Sequence, residues 1–229
     1  MNILHQSSKA QDRALGVWFH EISEGRIKLP RFQRSEAWDR SRIASFLNTI
    51  IHNLPVGGTL ALDVAGEEKF VSRYIKTAPE KVGVVTQHLL DGQQRLTAFW
   101  RAMQNNYEDE LFFVYWPEFD ETLTGATDAT EADLEIRCVP RWKNKKLVAM
   151  PLWADDAAKC LSRGLLPVSL LRPIPFESEI KGWVDAATQT RKPLQTDPNA
   201  FAKYEVFAAF KDKLTRRISE LRKRVEFFN

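Results

Sequence analysis

The sequence predicts a mixed α+β fold. Two short amphipathic helices alternate with brief apolar runs of strand character, and a long amphipathic helix closes the chain. The first helix is expected over residues 10–24, where Leu15, Trp18, Phe19 and Ile22 fall at i, i+3, i+4 and i+7 and Gly25 is a natural stop. "GRIKLPRFQRSEAW" follows, extended around Pro30. Asp39 then caps a second helix, with Ile43, Phe46, Leu47 and Ile50 on one stripe and Asn53 and Pro55 at its end. "GGTLALDV", "KFVSRYI" and "VGVVTQHLL" read as three strands, the last ending at Leu90 so that Asp91-Gly92 makes a turn into a helix over about 93–105.

"ELFFVYW", residues 110–116, is a further strand. The stretch 117–135 is acidic with no Lys or Arg and a Thr/Ala/Gly middle, and reads as a mobile surface loop. "IRCVPRW" and "KLVAMPLW" read as two strands around a basic turn, Lys143 to Lys146. From 155 onward the expectation is helix, cut by prolines. The last segment, 200–228, carries Tyr204, Phe207, Phe210, Leu214, Ile218, Leu221, Val225 and Phe228 on one face. Its other face holds Lys211, Lys213, Arg216, Arg217, Arg222, Lys223 and Arg224, either as a solvated surface or as a basic face toward DNA or a partner. The chain stops at "VEFFN", directly after this helix, and we expect a cut within a longer protein.

Composition narrows the function classes. Of 229 residues, 44% are hydrophobic and 28% charged, the balance of a soluble protein with a sizeable core. Lys plus Arg number 33 against 30 acids, a net +3 too small to argue nucleic-acid binding by itself. The two cysteines, Cys138 and Cys160, form no Cys-x-x-Cys pattern, which excludes a zinc finger or disulfide scaffold and suits buried thiols in a reducing cytosol. The N-terminus has no long apolar core and no run approaches the ~20 residues of a membrane span, so the expected location is the cytoplasm.

The most informative stretch is "LLDGQQRLTAFW", Leu89 to Trp100. A strand hands over to a helix there, and a helix N-terminus offers bare amides and partial positive charge, a geometry that favours phosphate. Arg95 in the first turn opposes the dipole unless an anion binds beside it, and its fork suits phosphate oxygens. Gly92 permits close approach, Gln93 and Gln94 can bond a phosphate, a base edge or a water, and Asp91 can cap the helix, hold Mg²⁺ or polarise water. Asp-Gly before a helix is also an ordinary cap and turn, and Arg95 equally suits a surface acid. No G-x-x-x-x-G-K-[ST] loop occurs. A second cluster, "LPRFQRSEAW", repeats the Gln-Arg pairing at Gln33 and Arg34, so that two such sites can converge on one anion. Phe32 and Trp38 are available to wall the pocket or stack on a base, while Trp38 equally suits a core position.

Taken with "FLNTIIHNLPVGGTLAL", these two motifs resemble the N-terminal domain of GmrSD-type restriction endonucleases, a family long classed as a domain of unknown function that includes the phosphorothioate-sensing SspE proteins. The likeness covers residues 12–105, and the family is similar in fold to the ParB and sulfiredoxin superfamily, a small mixed sheet with helices. It implies a nucleotide-binding domain at 1–153 and a helical extension at 154–229. It implies a nucleoside triphosphate site made by Gln33, Arg34, Asp91, Gly92, Gln93, Gln94 and Arg95, using Mg²⁺ and GTP or another nucleoside triphosphate. Asp91, Gln93 and Gln94 would be its catalytic members, and turnover would serve restriction of modified phage DNA through an HNH-type nuclease domain or partner subunit. The same corner serves a DNA-binding module without turnover as the other class of function.

Two further patterns carry less. "DVAGEEK", Asp63 to Lys69, matches the acids of metal-dependent nucleases but sits between strands as a polar turn. Arg141, Lys143, Lys145 and Lys146 in "RWKNKK" can contact DNA phosphates or simply form a solvated hairpin turn. His5, His20, His52 and His88 make no nuclease constellation.

Overall fold

The computed structural model describes residues 10–229 except 82, 124–132, 146–147, 152, 174–176, 195 and 197. Helix α1, Leu15–Ser23, starts five residues later than its stripe predicts and buries Leu15, Trp18, Phe19 and Ile22. Gly25 follows it at φ +69°, the left-handed position that glycine adopts without strain. Strand β1 is Ile27–Pro30, and α2 is Arg40–Ile51 with the Asp39 side chain accepting from the Arg42 amide. Next come β2 (Leu60–Asp63), β3 (Ser72–Tyr74), β4 (Gln87–Asp91) and α3 (Gln93–Met103). The strand runs one residue past Leu90, so the turn into α3 is Gly92 alone.

These four strands make one sheet in the order β2-β4-β1-β3, parallel only between β1 and β4. The parallel pair brings the chain segments that leave β1 and β4 out at the same end of the sheet. Those exits are the Phe-Gln-Arg and Asp-Gly-Gln-Gln-Arg motifs, separated by some sixty residues in sequence. Behind the sheet, α3 is buried along its length from Leu96 to Met103, with Phe99 edge-on to Phe19 and Trp100 packed on the same ring.

A second sheet is antiparallel, in the order β6-β5-β9, with β9 at Arg163–Pro167. Here β5 is Glu110–Asp120 and β6 is Glu135–Pro140. The start of the expected acidic loop is therefore strand, with Phe119 buried in the core, and its centre at 124–132 lies outside the described residues. Strand β7, Trp142–Lys145, pairs with β8, Val148–Pro151. Lys143 and Lys145 thus stand on a strand rather than in the expected turn, and Lys146 lies outside the described residues. Helix α4 is Ala157–Leu161, and β9 is Arg163–Pro167. That strand corrects the expectation of helix from 155: "RGLLP" pairs with Phe113–Tyr115, an interaction no local pattern announces. Helices α5 (Glu177–Thr188) and α6 (Ala200–Glu226) complete the chain.

One hydrophobic cluster joins α1, α2 and α3 with β5, α5 and the second half of α6. Within α6 the buried residues begin at Leu214, and Tyr204 is exposed, its ring 6.0 Å from that of Phe207 in the same helix. The basic face is largely paired within the chain: Lys211 with Asp185, Lys213 with Glu118, and Arg224 with the Ile51 carbonyl. Cys160 is buried and Cys138 half-buried; burial, helped by nearby carboxylates, pushes both thiols up to about 12. Among the described residues, no helix is long and apolar enough to cross a membrane.

Candidate functional site

The two Gln-Arg motifs meet. A cavity of about 280 Å³ is lined by Gln33, Arg34 and Trp38 from the first and by Leu90 through Arg95 from the second. What joins them is a set of side-chain-to-backbone hydrogen bonds. Gln33 Nε2 donates to the carbonyls of Leu89 (2.6 Å) and Leu90 (2.9 Å) at the end of β4. Gln93 Nε2 donates to the Arg34 carbonyl at 2.7 Å. Gln94 bonds the loop twice, with Nε2 donating to Ser35 O and Oε1 accepting from the Ala37 amide. Arg73 on β3 adds donation to the Arg34 carbonyl at 3.0 Å. The glutamines therefore build the corner, a role their sequence positions alone do not suggest. Gln33 has spent both N–H bonds, whereas among the described residues Gln93 and Gln94 each donate one. Gln33 Oε1, buried, finds no donor among the described residues.

Helix α3 begins without a side-chain cap. Asp91 does not fill that role, contrary to one reading of the motif; its largely exposed carboxylate instead lies 3.7 Å from Arg95 Nη2. The partial positive charge of the first-turn amides is thus uncompensated by a side-chain cap. Gly92 stands at φ +90°, and a Cβ there would lie 2.9 Å from Thr59 Oγ1. The glycine is needed by the fold itself, because of its positive φ and because the Thr59 side chain takes the space a Cβ would fill. Arg95 donates to the Gly58 carbonyl of this loop and still lines the cavity. It is held by a weak neighbour on one side and by backbone on the other, so its charge stays available to a stronger anion. Trp38 forms one wall while packing edge-on against Phe46, so it serves cavity and core together. Phe32 is exposed and packs on Phe70 instead of lining the cavity.

Sequence reasoning missed the support beneath the loop. Glu36 binds Arg101 of α3 at 2.6 Å, with Tyr107 Oη donating to the same carboxylate. Arg101 is only 6% exposed, donates also to Asn106, and lies 4.0 Å over the Tyr107 ring. Such a buried pair, 65 residues apart in sequence, ties the Phe-Gln-Arg segment to the far end of the helix that starts at the second motif. A second polar knot covers the outer face of the first sheet, where Glu68 accepts from Ser72, Lys28 (3.0 Å) and His88 (3.0 Å). Burial works to raise that carboxyl, but the three donors outweigh it and hold it at about 2. Two of the three acids of "DVAGEEK", Glu68 and Asp63, are thus engaged with their own sheet, Asp63 accepting from Gln87.

The other expected contacts lie elsewhere. Arg141 is 3.9 Å from Asp155, and Lys143 and Lys145 belong to the two-stranded sheet, not to the sheet that carries the corner. Among the described residues, no three His, Cys, Asp or Glu side chains gather as a metal site. Asp91 alone of the acids lines the cavity, which suits Mg²⁺ only if phosphate oxygens supply further ligands.

Comparison with known proteins gives one family: the profile "GmrSD restriction endonuclease, N-terminal domain" matches residues 15–222. An uncharacterised protein of Methanocaldococcus jannaschii is 34% identical over 104 residues, which cover 40% of this chain and 18% of that protein's length. No solved structure matches the chain.

Proposed function

The chain belongs to the family of GmrSD restriction endonuclease N-terminal domains, and from that premise we propose that its Gln-Arg corner binds and hydrolyses a nucleoside triphosphate in the service of DNA restriction. The observation that carries this reading is the convergence in one cavity of two arginines, Arg34 and Arg95, with an uncapped helix N-terminus. Each element favours a polyanion, and a phosphate there reverses the cost of an arginine at the positive end of a helix. Gln93 and Gln94 present their remaining N–H groups to phosphate oxygens or an attacking water. Asp91, which lines the cavity, would take a water proton or share Mg²⁺ with the phosphates, and the ion would neutralise charge on the leaving group when bound. Phosphoryl transfer asks chiefly for positioning and charge stabilisation, so a set this small suffices. GTP or another nucleoside triphosphate is the substrate class, in a ParB- and sulfiredoxin-like domain working in the cytoplasm. DNA, including modified phage DNA, is the target of the wider system, and an HNH-type nuclease domain or partner subunit is the cutting element.

The test is phosphate release from each nucleoside triphosphate with Mg²⁺, with and without DNA. Arg95→Ala should weaken nucleotide binding by about 2–3 kcal/mol, some 30–150-fold, the scale of a charge-assisted contact. The fold should survive, since the variant loses only the Gly58 bond and a loose pairing with Asp91. Binding without release in the wild type would favour a nucleotide-gated DNA-binding module over an enzyme, and unfolding of the variant would make Arg95 structural.

A further inference from the structure

The cavity at the corner is small for a whole nucleotide: about 280 Å³, against roughly 300–1,000 Å³ for ligand sites. It does not end at its own walls. Trp38 and Arg95 also line a second groove of about 590 Å³, which runs between α2 and the Pro55–Val56 segment. The two spaces therefore meet at one aromatic ring and one guanidinium, and they differ in character. The first is walled chiefly by glutamines, arginines and an acid. The second has Trp38, Phe46, Pro55 and Val56 as apolar surface, with Ser41, Arg42, Ser45 and Thr49 along the helix.

Resting on the reading that the first cavity holds phosphates, we propose that this groove seats the nucleoside half of the same ligand. The base lies against Trp38, and its edge faces Arg42 and Ser45. A flat heteroaromatic ring gains from an aromatic wall whatever its identity, and polar groups beside that wall meet its edge. Arg42 and Ser45 are both exposed residues of α2, one helical turn apart on the groove side, so they are free to serve a ligand without disturbing the core. Trp38 is held in place by its edge-on contact with Phe46 at 5.5 Å, which fixes the wall before any ligand arrives. The geometry assigns Arg95 to the junction between sugar and phosphates, since it borders both spaces.

The experiment compares two probes on the whole chain by calorimetry with Mg²⁺: a non-hydrolysable nucleoside triphosphate and inorganic tripolyphosphate. In the wild type the nucleotide should bind roughly 10–100-fold more tightly, the worth of stacking one base. Ser45→Trp fills the groove from an exposed helix position, and should bring nucleotide affinity down to that of tripolyphosphate while tripolyphosphate binding stays unchanged. Trp38→Leu should act in the same direction, with circular dichroism checking that each variant is folded. Equal affinity for the two probes in the wild type would overturn the nucleoside seat and leave the phosphate site standing. A nucleotide advantage that survives Ser45→Trp, or a parallel loss of both probes in it, would overturn it too. Failure of both probes on the wild type would remove the phosphate reading first, and this inference with it.

Discussion

Replacing Arg101 with Met is the sharpest probe of how the corner is held. The guanidinium is 6% exposed and binds Glu36 at 2.6 Å, the Asn106 carbonyl at 3.0 Å and the Asn106 side chain at 3.3 Å. Removing one partner of a buried ion pair costs about 3–5 kcal/mol, because the other charge is left without compensation. Glu36 would keep Tyr107 and Lys76, the latter 3.1 Å away at the surface, so the lower end applies: about 3 kcal/mol. For a chain of this size that is a fall in Tm of about 6–12 °C. Lys76→Ala is the internal control. Its side chain is 57% exposed on the same carboxylate, and an exposed pair contributes at most about 1 kcal/mol. Urea denaturation of both variants, with Glu36→Gln and the Glu36→Gln/Arg101→Met double variant, gives the coupling directly. A loss below 1 kcal/mol for Arg101→Met, or equal losses for Arg101→Met and Lys76→Ala, would refute the claim that burial sets the strength of this tie. Because Glu36 sits next to Ser35, which Gln94 holds, Arg101→Met should also weaken nucleotide binding without touching the cavity.

Four further outcomes follow from the structure. Gly92→Ala should destabilise the fold by about 2–3 kcal/mol in chemical denaturation, from positive φ and the clash with Thr59. Gly182→Ala, in mid-helix with nothing within 4 Å, should stabilise it slightly. Glu68 titrates near 2 in the fold against 4.5 unfolded, so its contribution is fully present above pH 4.5 and is lost as pH falls toward 2. Glu68→Gln should thus cost about 1–2 kcal/mol at pH 7, reduced by solvent on its open side, and nothing near pH 2, as acid unfolding curves would show. Both cysteines should react with iodoacetamide at pH 8 far more slowly than a free thiol, since their thiolates form only well above that pH; rapid labelling of the native chain would contradict their burial.

Much of this fold is legible locally. The α1 and α2 stripes, the Asp39 cap and the strand-to-helix corner at Gly92 all rest on signals within one or two turns of chain. What escapes is non-local. "RGLLP" becomes β9 only because β5 offers it an edge, and "WKNK" becomes a strand because Val148–Pro151 folds back on it. At the site, the residues that matter were readable as polar groups at a fold-back corner. The division of labour among them was not, because a glutamine that clasps a carbonyl 57 residues away looks in sequence like one that awaits a ligand. Glu36 sits inside the first motif with no pattern that singles it out, Arg101 lies just past the second, and only their shared burial reveals them.

The glutamine contacts recognise main chain, not side chains. Gln93 and Gln94 grip the peptide groups of Arg34, Ser35 and Ala37, and Ser35 and Ala37 are exposed. The seam is therefore indifferent to what those two positions carry. They form a place where this scaffold can be rewritten beside its pocket, by drift or by an engineer choosing a new rim, while the stitches underneath stay the same.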